Sequence, residues 1–260
     1  SDQILLKDQA RKFLEGEESL KKARDVLEGE ASFDESLWKS IIEMGFTATT
    51  IPEEYDGLGL GYLELCVIAE ELGRSLAPTP FSSSVYLATE AILRFGSDDQ
   101  KKAYLPKLAA GEIIGCFAHS ESNTSPTAEN LSCAFDGGKL LGKKIAVSDG
   151  DIADFAIVSA VNGDTPTLCI VDLKSDEVDI NTETTLDPSR SHANFNLNSS
   201  AEVLEGTTWE SIQELLDRAA VLFAFEQLGG AEACMDMARE YAMGRFAFGR
   251  PIASFQAIKH

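Results

Sequence analysis

The hydrophobic spacing of this chain changes twice, and the two changes divide it into three segments. Up to about residue 112 the apolar residues recur at three- and four-residue intervals, as in Leu37, Ile41 and Ile42, which is typical of amphipathic helices. From Ile113 the spacing moves towards two, which indicates strands. Helical spacing returns after Thr207. This order predicts an α+β multidomain chain with helices at both ends and strands in the middle.

The first segment carries several signals for the beginnings and ends of helices. Asp34 and Ser97 each stand where a polar side chain can cap the first turn of a helix. Gly45 and Gly96 stand where helices can end. We therefore predict an N-terminal helical domain over residues 1–112.

The second segment reads as a series of short strands, many of them β-branched or aromatic. Turn signals separate them, among them Asp136-Gly-Gly and Asn162-Gly-Asp. Six or more such strands predict an antiparallel β-sandwich or barrel, a middle domain over 113–205. The predicted strands are 113–119, 131–135, 139–145, 155–160, 167–172 and 191–197.

The third segment, 206–260, begins with a Thr-Thr-Trp-Glu sequence that fits a capping box. The helix it starts should run to Phe248, about 35 residues, which is far longer than an average globular helix. Gly249 can adopt the left-handed conformation that ends a helix, and Pro251 cannot continue one. A second apolar run at helical spacing follows from Ile252. We predict an incomplete, truncated C-terminal helical bundle.

Composition restricts the classes of function. The formal net charge of −21 argues against a nucleic-acid binder and disfavours binding to anionic membranes. No apolar run is long enough to span a bilayer, and the N-terminus lacks a signal-peptide pattern. The five cysteines are widely spaced, with no CxxC motif or Cys/His cluster to suggest a metal site, so we expect buried reduced thiols in a cytoplasmic protein.

Residues 245–256 read Arg-x-x-Phe-Gly-x-Pro-Ile-x-x-Phe-Gln. This pattern resembles the signature that opens the C-terminal helical domain of acyl-CoA dehydrogenases. The glycine-rich loop 51–61 and the Glu-Glu-Leu-Gly-Arg-Ser-Leu-Ala-Pro run at 70–78 are similar to that family's N-terminal domain, although Asp56 replaces one glycine. On physical grounds alone the loop is a tight entry into a helix. The resemblance covers the whole chain and implies the acyl-CoA dehydrogenase fold.

The same resemblance implies that FAD is the cofactor. It places Arg245 at the FAD pyrophosphate, Phe248 near the adenine, and Phe255 and Gln256 among the cofactor-binding residues, all on the FAD of a neighbouring subunit. Arginine suits this position because its planar, permanently charged fork matches a phosphate pair. The alternative is an arginine that complements the dipole at a helix end.

Two further segments resemble those that hold the subunit's own flavin. In the first, Phe117, His119 and Ser120 are the residues expected near the cofactor, followed by serine and asparagine where the family has proline and glycine. The structural alternative for His119 is an ordinary strand histidine.

In the second segment, 144–150, the expected contacts are Ala146, Val147 and Ser148. Ala146 stands where the family has a tryptophan, so roughly 150–250 Å² of aromatic packing surface is missing. Ser120 and Ser148 keep the hydroxyls, with ordinary strand-end hydroxyls as the alternative.

The base that removes the α-proton has no clear equivalent. In the members that carry it on the long helix, its position corresponds to Ala219, beside Ala220, and neither side chain accepts a proton. Asp217 and Arg218 lie in the segment that contacts the CoA ester in relatives, so they are candidate substrate-binding residues. Glu226 lies two turns beyond Ala219 on nearly the same face and is a weak candidate for the base. The alternative is a buried structural glutamate.

The activity implied by the resemblance is FAD-dependent α,β-dehydrogenation of an acyl-CoA. Heteromeric members, including those that act on steroid side chains, contain two diverged subunits that share fewer flavin sites. We therefore expect an oligomer, a dimer of dimers, in which this chain is a diverged subunit. Two alternatives remain open: a non-catalytic partner that binds no flavin and completes the assembly, and an acyl-CoA binding module.

Overall fold

A computed structural model describes residues 2–260. The first part is helical, as predicted, and its polar caps are in place. Asp34 accepts a hydrogen bond from the Leu37 amide at 2.7 Å, and Ser97 accepts one from the Gln100 amide at 3.2 Å. The helices are α1 (Asp2–Gly16), α2 (Ser19–Glu28), α3 (Glu35–Glu43), α4 (Tyr62–Arg74), α5 (Glu90–Phe95) and α6 (Asp98–Ala109).

Between α4 and α5 lies a π-helix, Ser82–Thr89. The sequence predicts an α-helix here, because apolar spacing does not distinguish the two. The hydroxyl of Thr89 donates to the Ser84 carbonyl five residues earlier, at 2.7 Å. Ser84 in turn accepts the amide of Gly115 at 3.3 Å. This widened turn therefore connects directly to the start of the sheet, and π-helices of this kind often occur at functional sites.

The middle segment forms one eight-stranded sheet in the order β6-β7-β3-β2-β4-β5-β8, with β1 also paired to β4. The sheet is mixed: β1 and β2 both run parallel to β4, while the other pairs are antiparallel. The strands are β1 (Gly115–Ala118), β2 (Ala134–Asp136), β3 (Lys139–Ser148), β4 (Phe155–Asn162), β5 (Thr165–Asp172), β6 (Val178–Glu183), β7 (His192–Ser200) and β8 (Glu202–Leu204).

Six of these strands lie where the sequence predicts them, and β6 and β8 were missed. β8 is only three residues long and carries no pattern, whereas β6 is mostly exposed but alternates β-branched and polar residues, Val-Asp-Ile-Asn-Thr-Glu, a signal that the sequence analysis did not use. β3 is also longer than predicted and contains a register shift between Lys144 and Val147. Ala146 lies inside this irregularity with φ at +51°.

The C-terminal segment is dominated by α7 (Trp209–Gly244), which ends four residues before the predicted end. A small hairpin, β9 (Phe246–Ala247) and β10 (Arg250–Pro251), replaces the last predicted turn. Gly249 has φ at +77°, the left-handed conformation expected of it. A 3-10 turn (Ile252–Ser254) and the short α8 (Gln256–Lys259) follow. None of the helices within 2–260 is long and apolar enough to cross a bilayer.

Two glycines allow α4 and α7 to cross at very short range. A Cβ atom on Gly229 of α7 would lie 1.8 Å from the backbone oxygen of Glu70 in α4. A Cβ atom on Gly73 of α4 would lie 2.0 Å from the backbone oxygen of Glu226 in α7. Because backbone cannot move aside as a flexible side chain can, this crossing requires glycine at both positions.

The crossing can be tested by two neighbouring substitutions. Gly229→Ala should lower the free energy of unfolding by about 1–3 kcal/mol or more, since the new methyl group overpacks a backbone contact. Gly230→Ala is the control, because the nearest atom to its added Cβ lies 3.7 Å away. It should raise stability by up to about 1 kcal/mol through helix propensity. Urea unfolding measures both, and equal effects of the two variants would contradict the close crossing.

Candidate active site

A cleft of about 220 Å³ opens between the π-helix, the end of β3, the loop before β7 and the middle of α7. Its walls carry more polar than apolar side chains. The lining residues are Ser82, Ser83, Leu87, Ser148, Arg190, Phe223, Glu226 and Gln227.

Ser148 stands at the end of β3 and is half-buried. Its hydroxyl oxygen lies 3.2 Å from Nε2 of His192, the first residue of β7. The other ring nitrogen of His192 lies 3.2 Å from the Arg190 carbonyl oxygen. Ser148, whose hydroxyl the sequence predicts as a cofactor contact, thus lines the cleft.

An ion pair joins the loop before β7 to α7. The Arg190 guanidinium donates to Glu226 at 3.2 Å and also hydrogen-bonds the Ser82 hydroxyl. The side chains are 35% and 14% exposed, so the pair is only partly hydrated. Burial raises the pKa of Glu226, and the positive charge of Arg190 opposes this rise. The buried hydroxyl of Tyr86 lies beside Glu226 without meeting hydrogen-bond geometry.

A second carboxyl group lies behind this pair. Asp149 is 2% exposed and accepts a hydrogen bond from the Ser83 hydroxyl at 2.5 Å. Burial raises its pKa to about 6, while the hydrogen bond from Ser83 and the charge of Arg190 act in the opposite direction. Around Arg190 there are therefore two carboxyl groups, one of which titrates just below neutral pH.

The two segments that the resemblance assigns to flavin lie side by side. The amide of Ile145 donates to the Ser120 carbonyl at 2.8 Å. In the second segment Ala146 is exposed and Val147 is buried. Hydroxyls of Ser120 and Ser148 are both half-buried. The structure therefore brings together the two parts of the predicted site, although their contact with a cofactor stays a prediction.

His119 is held within the fold. Its ring stacks on Phe117 at 5.4 Å between centroids and lies 6.0 Å from the Trp209 ring. Nδ1 lies 2.8 Å from the Ser159 hydroxyl. Burial, with a further contribution from the Lys144 charge, lowers the pKa of His119 to about 4. The ring is therefore neutral at pH 7, which fits the structural alternative.

A buried ion pair fixes the turn after β1. Lys144, which is fully buried, donates to Glu121 at 2.7 Å and to the His119 carbonyl at 3.1 Å. Glu121 also accepts the amides of Ser132 and Cys133 at 2.7 and 3.0 Å. Burial favours the neutral acid, yet these hydrogen bonds hold the pKa of Glu121 below its usual value.

Arg245, Phe248 and Gln256 of the C-terminal motif are exposed, while Phe255 is half-buried beneath the guanidinium of Arg250 at 4.0 Å. Arg245 is exposed, and its side chain makes no ion pair or hydrogen bond within 2–260. Phe248 is 96% exposed and has φ at +52°. Its ring meets Phe255 edge-on at 6.3 Å, and Gln256 is exposed. Contact of these side chains with the FAD of a neighbouring subunit stays a prediction.

Asp217 and Arg218 lie on α7 outside the cleft-lining set. Arg218 donates to Glu90 at 2.6 Å and lies over the Tyr62 ring at 4.3 Å. Asp217 is exposed. Their role towards substrate stays a prediction, and Arg218 would have to leave Glu90 to fulfil it.

The sequence analysis missed Arg190, Ser82, Ser83 and Asp149. No motif connects them, because they come from three separate stretches that meet only in the folded chain. The available signal was the triple serine at 82–84, which is unusual inside an apolar helical pattern.

The pKa of Asp149 gives a stability prediction. Because the folded pKa lies above the ordinary value of 3.8, the stabilisation from the neutral acid is complete below that value and is lost as pH rises through about 6. Asp149→Asn keeps an acceptor for Ser83 but does not titrate. Between pH 4.5 and pH 7 the wild type should lose about 2 kcal/mol of its free energy of unfolding through this group, and Asp149→Asn should not show this loss.

Urea unfolding at the two pH values measures this difference. Asp136→Asn, at an exposed turn position of the sheet, serves as the control and should leave the wild-type pH dependence unchanged. An unaltered pH dependence in Asp149→Asn would contradict the raised pKa.

Comparison with known proteins gives matches along the whole chain. The acyl-CoA dehydrogenase N-terminal domain matches residues 1–112, and the acyl-CoA dehydrogenase C-terminal domain matches residues 206–260. The acyl-CoA dehydrogenase IpdE2 of Mycolicibacterium smegmatis is 33% identical over 259 residues, which cover 98% of this chain and 69% of that protein.

Two solved structures have the same fold. A variant of the steroid ACAD Tcur3481-Tcur3483 superposes with a TM-score of 0.88 and 29% identity, covering all of this chain and 71% of that one. The ChsE4-ChsE5 complex from Mycobacterium tuberculosis gives a TM-score of 0.86 and 27% identity over 99% of this chain and 71% of that one. From the domain matches and the whole-length similarity to IpdE2, the chain belongs to the acyl-CoA dehydrogenase family of oxidoreductases.

Proposed function

We propose that this chain is a subunit of an acyl-CoA dehydrogenase that carries out FAD-dependent α,β-dehydrogenation of an acyl-CoA thioester. One observation carries the proposal: Ser148 belongs both to the predicted flavin segments and to the wall of the cleft. A flavin held by those segments would border the cleft, and in this proposal the acyl group binds there. The family membership gives the reaction class.

The chemistry of the available groups fits a flavin in part. Ser120 and Ser148 offer hydroxyls next to backbone at strand ends, and the exposed Ala146 leaves an open surface where relatives carry an indole. When bound, FAD would supply the acceptor for the β-hydride. This chain would contribute the hydroxyl of Ser148 at the ring edge, with His192 holding that hydroxyl in place.

The exposed C-terminal motif supports an oligomeric role. Arg245 and Phe248 present a cation and an aromatic ring that the described chain leaves uncovered. We propose that Arg245, Phe248, Phe255 and Gln256 contact the FAD of a neighbouring subunit in a homo- or hetero-oligomer, a dimer of dimers. The likeness to the ChsE4-ChsE5 complex favours the heteromeric form.

The residues that line the cleft include no clear acceptor for the α-proton of the substrate. Ala219 is buried and cannot accept a proton. Glu226 is the one carboxylate among the residues that line the cleft, and Arg190 already engages it. Glu226 as the base thus stays a prediction, with the Arg190 pairing favouring the structural alternative. We propose that the α-proton leaves to a group outside this lining.

The alternative function is a partner that binds no flavin and completes the assembly. The replacement of the indole by Ala146 and the absence of a carboxylate at Ala219 favour it. Flavin absorbance in the purified assembly separates it from the dehydrogenase, and an acyl-CoA titration identifies a binding module without redox function. We also propose a cytoplasmic location, because four of the five cysteines are buried free thiols and only Cys234 is exposed.

Arg245 provides the test of the cofactor proposal. Arg245→Ala in the assembled oligomer should lower FAD affinity about ten- to hundredfold, since a charge-assisted phosphate contact is worth roughly 1.5–3 kcal/mol. Arg245→Lys should recover only part of the lost FAD affinity, because a lysine ammonium cannot make the two-pronged contact that a guanidinium makes with phosphate. Flavin fluorescence on titration of the apoprotein gives the affinity.

Arg239→Ala is the matched control, since Arg239 is an exposed arginine near the end of α7, six residues before Arg245, and pairs with Asp236 at 3.4 Å. It should leave the FAD affinity unchanged. If Arg245→Ala binds FAD as tightly as the control, Arg245 does not contact the cofactor.

A further inference from the structure

Apolar atoms form most of the exposed lining of the cleft, and a few polar groups converge within it. Of its eight lining residues only Leu87 and Phe223 are apolar, and the others carry hydroxyl, amide or charged groups. The cleft thus resembles other small-molecule pockets, in which a mostly apolar lining holds the ligand and a few polar groups fix its orientation. A purely aliphatic acyl chain would remove water from these groups without replacing its hydrogen bonds, which is unfavourable.

Arg190 and Glu226 offer a matched donor and acceptor across this space. The guanidinium donates one hydrogen bond to Glu226 at 3.2 Å and one to the Ser82 hydroxyl, so three of its five N–H groups remain available. The carboxylate has free lone pairs beside this contact. One hydroxyl placed between them can accept from Arg190 and donate to Glu226, and a carbonyl oxygen can accept from Arg190.

The local charges argue for a neutral ligand group. Arg190 is the one cation in the cleft lining, and it already faces Glu226 and, behind it, Asp149. A ligand carboxylate would be a third negative group around a single guanidinium and would leave a buried carboxylate unpaired. A ligand cation would compete with Arg190 for Glu226. A hydroxyl or carbonyl satisfies both partners without adding charge.

We propose that this cleft selects acyl-CoA thioesters whose acyl group carries a hydroxyl or carbonyl oxygen beyond its β-carbon, with Arg190 and Glu226 as the specificity-determining residues. The inference rests on the proposed function, because it takes the cleft beside Ser148 to hold the acyl group. A site built to hydrogen-bond a ligand hydroxyl discriminates against its deoxy analogue more strongly than an apolar pocket discriminates by size.

The test compares matched thioesters on the assembled oligomer by isothermal titration calorimetry. The probes are hexanoyl-CoA, its 4-, 5- and 6-hydroxy counterparts, and adipyl-CoA as the carboxylate counterpart. At least one hydroxy thioester should bind about tenfold more tightly than hexanoyl-CoA, as one net hydrogen bond allows. Adipyl-CoA should bind no better than hexanoyl-CoA.

A single substitution at Arg190 or Glu226 would leave the charge of the other residue unpaired, so the test uses a double variant. Arg190→Met/Glu226→Met replaces both partners by apolar groups of similar length, which can be nearly neutral for stability. It should reverse the preference, so that hexanoyl-CoA binds more tightly than the hydroxy thioesters. The control Arg94→Met/Glu214→Met removes an exposed ion pair between α5 and α7 and should keep the wild-type preference. Circular dichroism checks the fold of each variant.

The outcomes distinguish the two proposals. Equal or tighter binding of hexanoyl-CoA than of every hydroxy thioester would overturn the specificity while leaving the dehydrogenase proposal intact. The proposed specificity would also be overturned if adipyl-CoA bound most tightly of all the thioesters. The same holds if the Arg190/Glu226 double variant kept the wild-type preference for hydroxy thioesters. Binding of none of the thioesters would overturn the acyl-CoA function itself, and the specificity with it.

Discussion

The backbone contact between α4 and α7 is the constraint on which the other features depend. Gly73 and Gly229 let the two helices meet without intervening side chains. As a result α7 contributes Ala219 and Leu222 to the core of the N-terminal helices, and Ile212 and Leu215 to the core beneath the sheet. One helix thereby joins the two domains. Because the backbone of Glu226 lies directly on Gly73, this contact also determines how far the Glu226 side chain reaches into the cleft.

On the other side of the site, the buried ion pair between Lys144 and Glu121 also fixes the geometry of the chain. The family's proline and glycines after β1 are replaced by polar residues, so the turn cannot rely on their special backbone preferences. Here Glu121 accepts hydrogen bonds from Lys144 and from the backbone beyond the turn. Removing one member of such a pair leaves an uncompensated buried charge, and this fixes the geometry strongly. The altered motif and the ordered turn are therefore compatible.

The cleft lies between the α4–α7 crossing and the Lys144–Glu121 ion pair, and its residues differ in the roles that they can have. Ser148 lies where the chemistry of the family is expected, and it is oriented by a histidine from the neighbouring strand. Arg190 and Glu226 are better suited to recognition than to proton transfer, because the positive charge of Arg190 opposes protonation of Glu226 while both groups keep free donors or lone pairs. The chain thus has alanine at positions 146 and 219 and retains a cleft in which a few polar groups converge.

Local sequence determined the elements with strong signals: the capped helices, six strands, the long helix and the left-handed Gly249. It also placed Ser120 and Ser148 in segments that the structure brings together. The sequence analysis did not predict β8 or the π-helix, since their residues lack a periodic pattern distinct from their alternatives, and it overlooked the alternating residues of β6. Only the tertiary structure decided that Ser82, Asp149, Arg190 and Glu226 face one another, because they are brought together by long-range packing, which leaves no spacing to read along the chain.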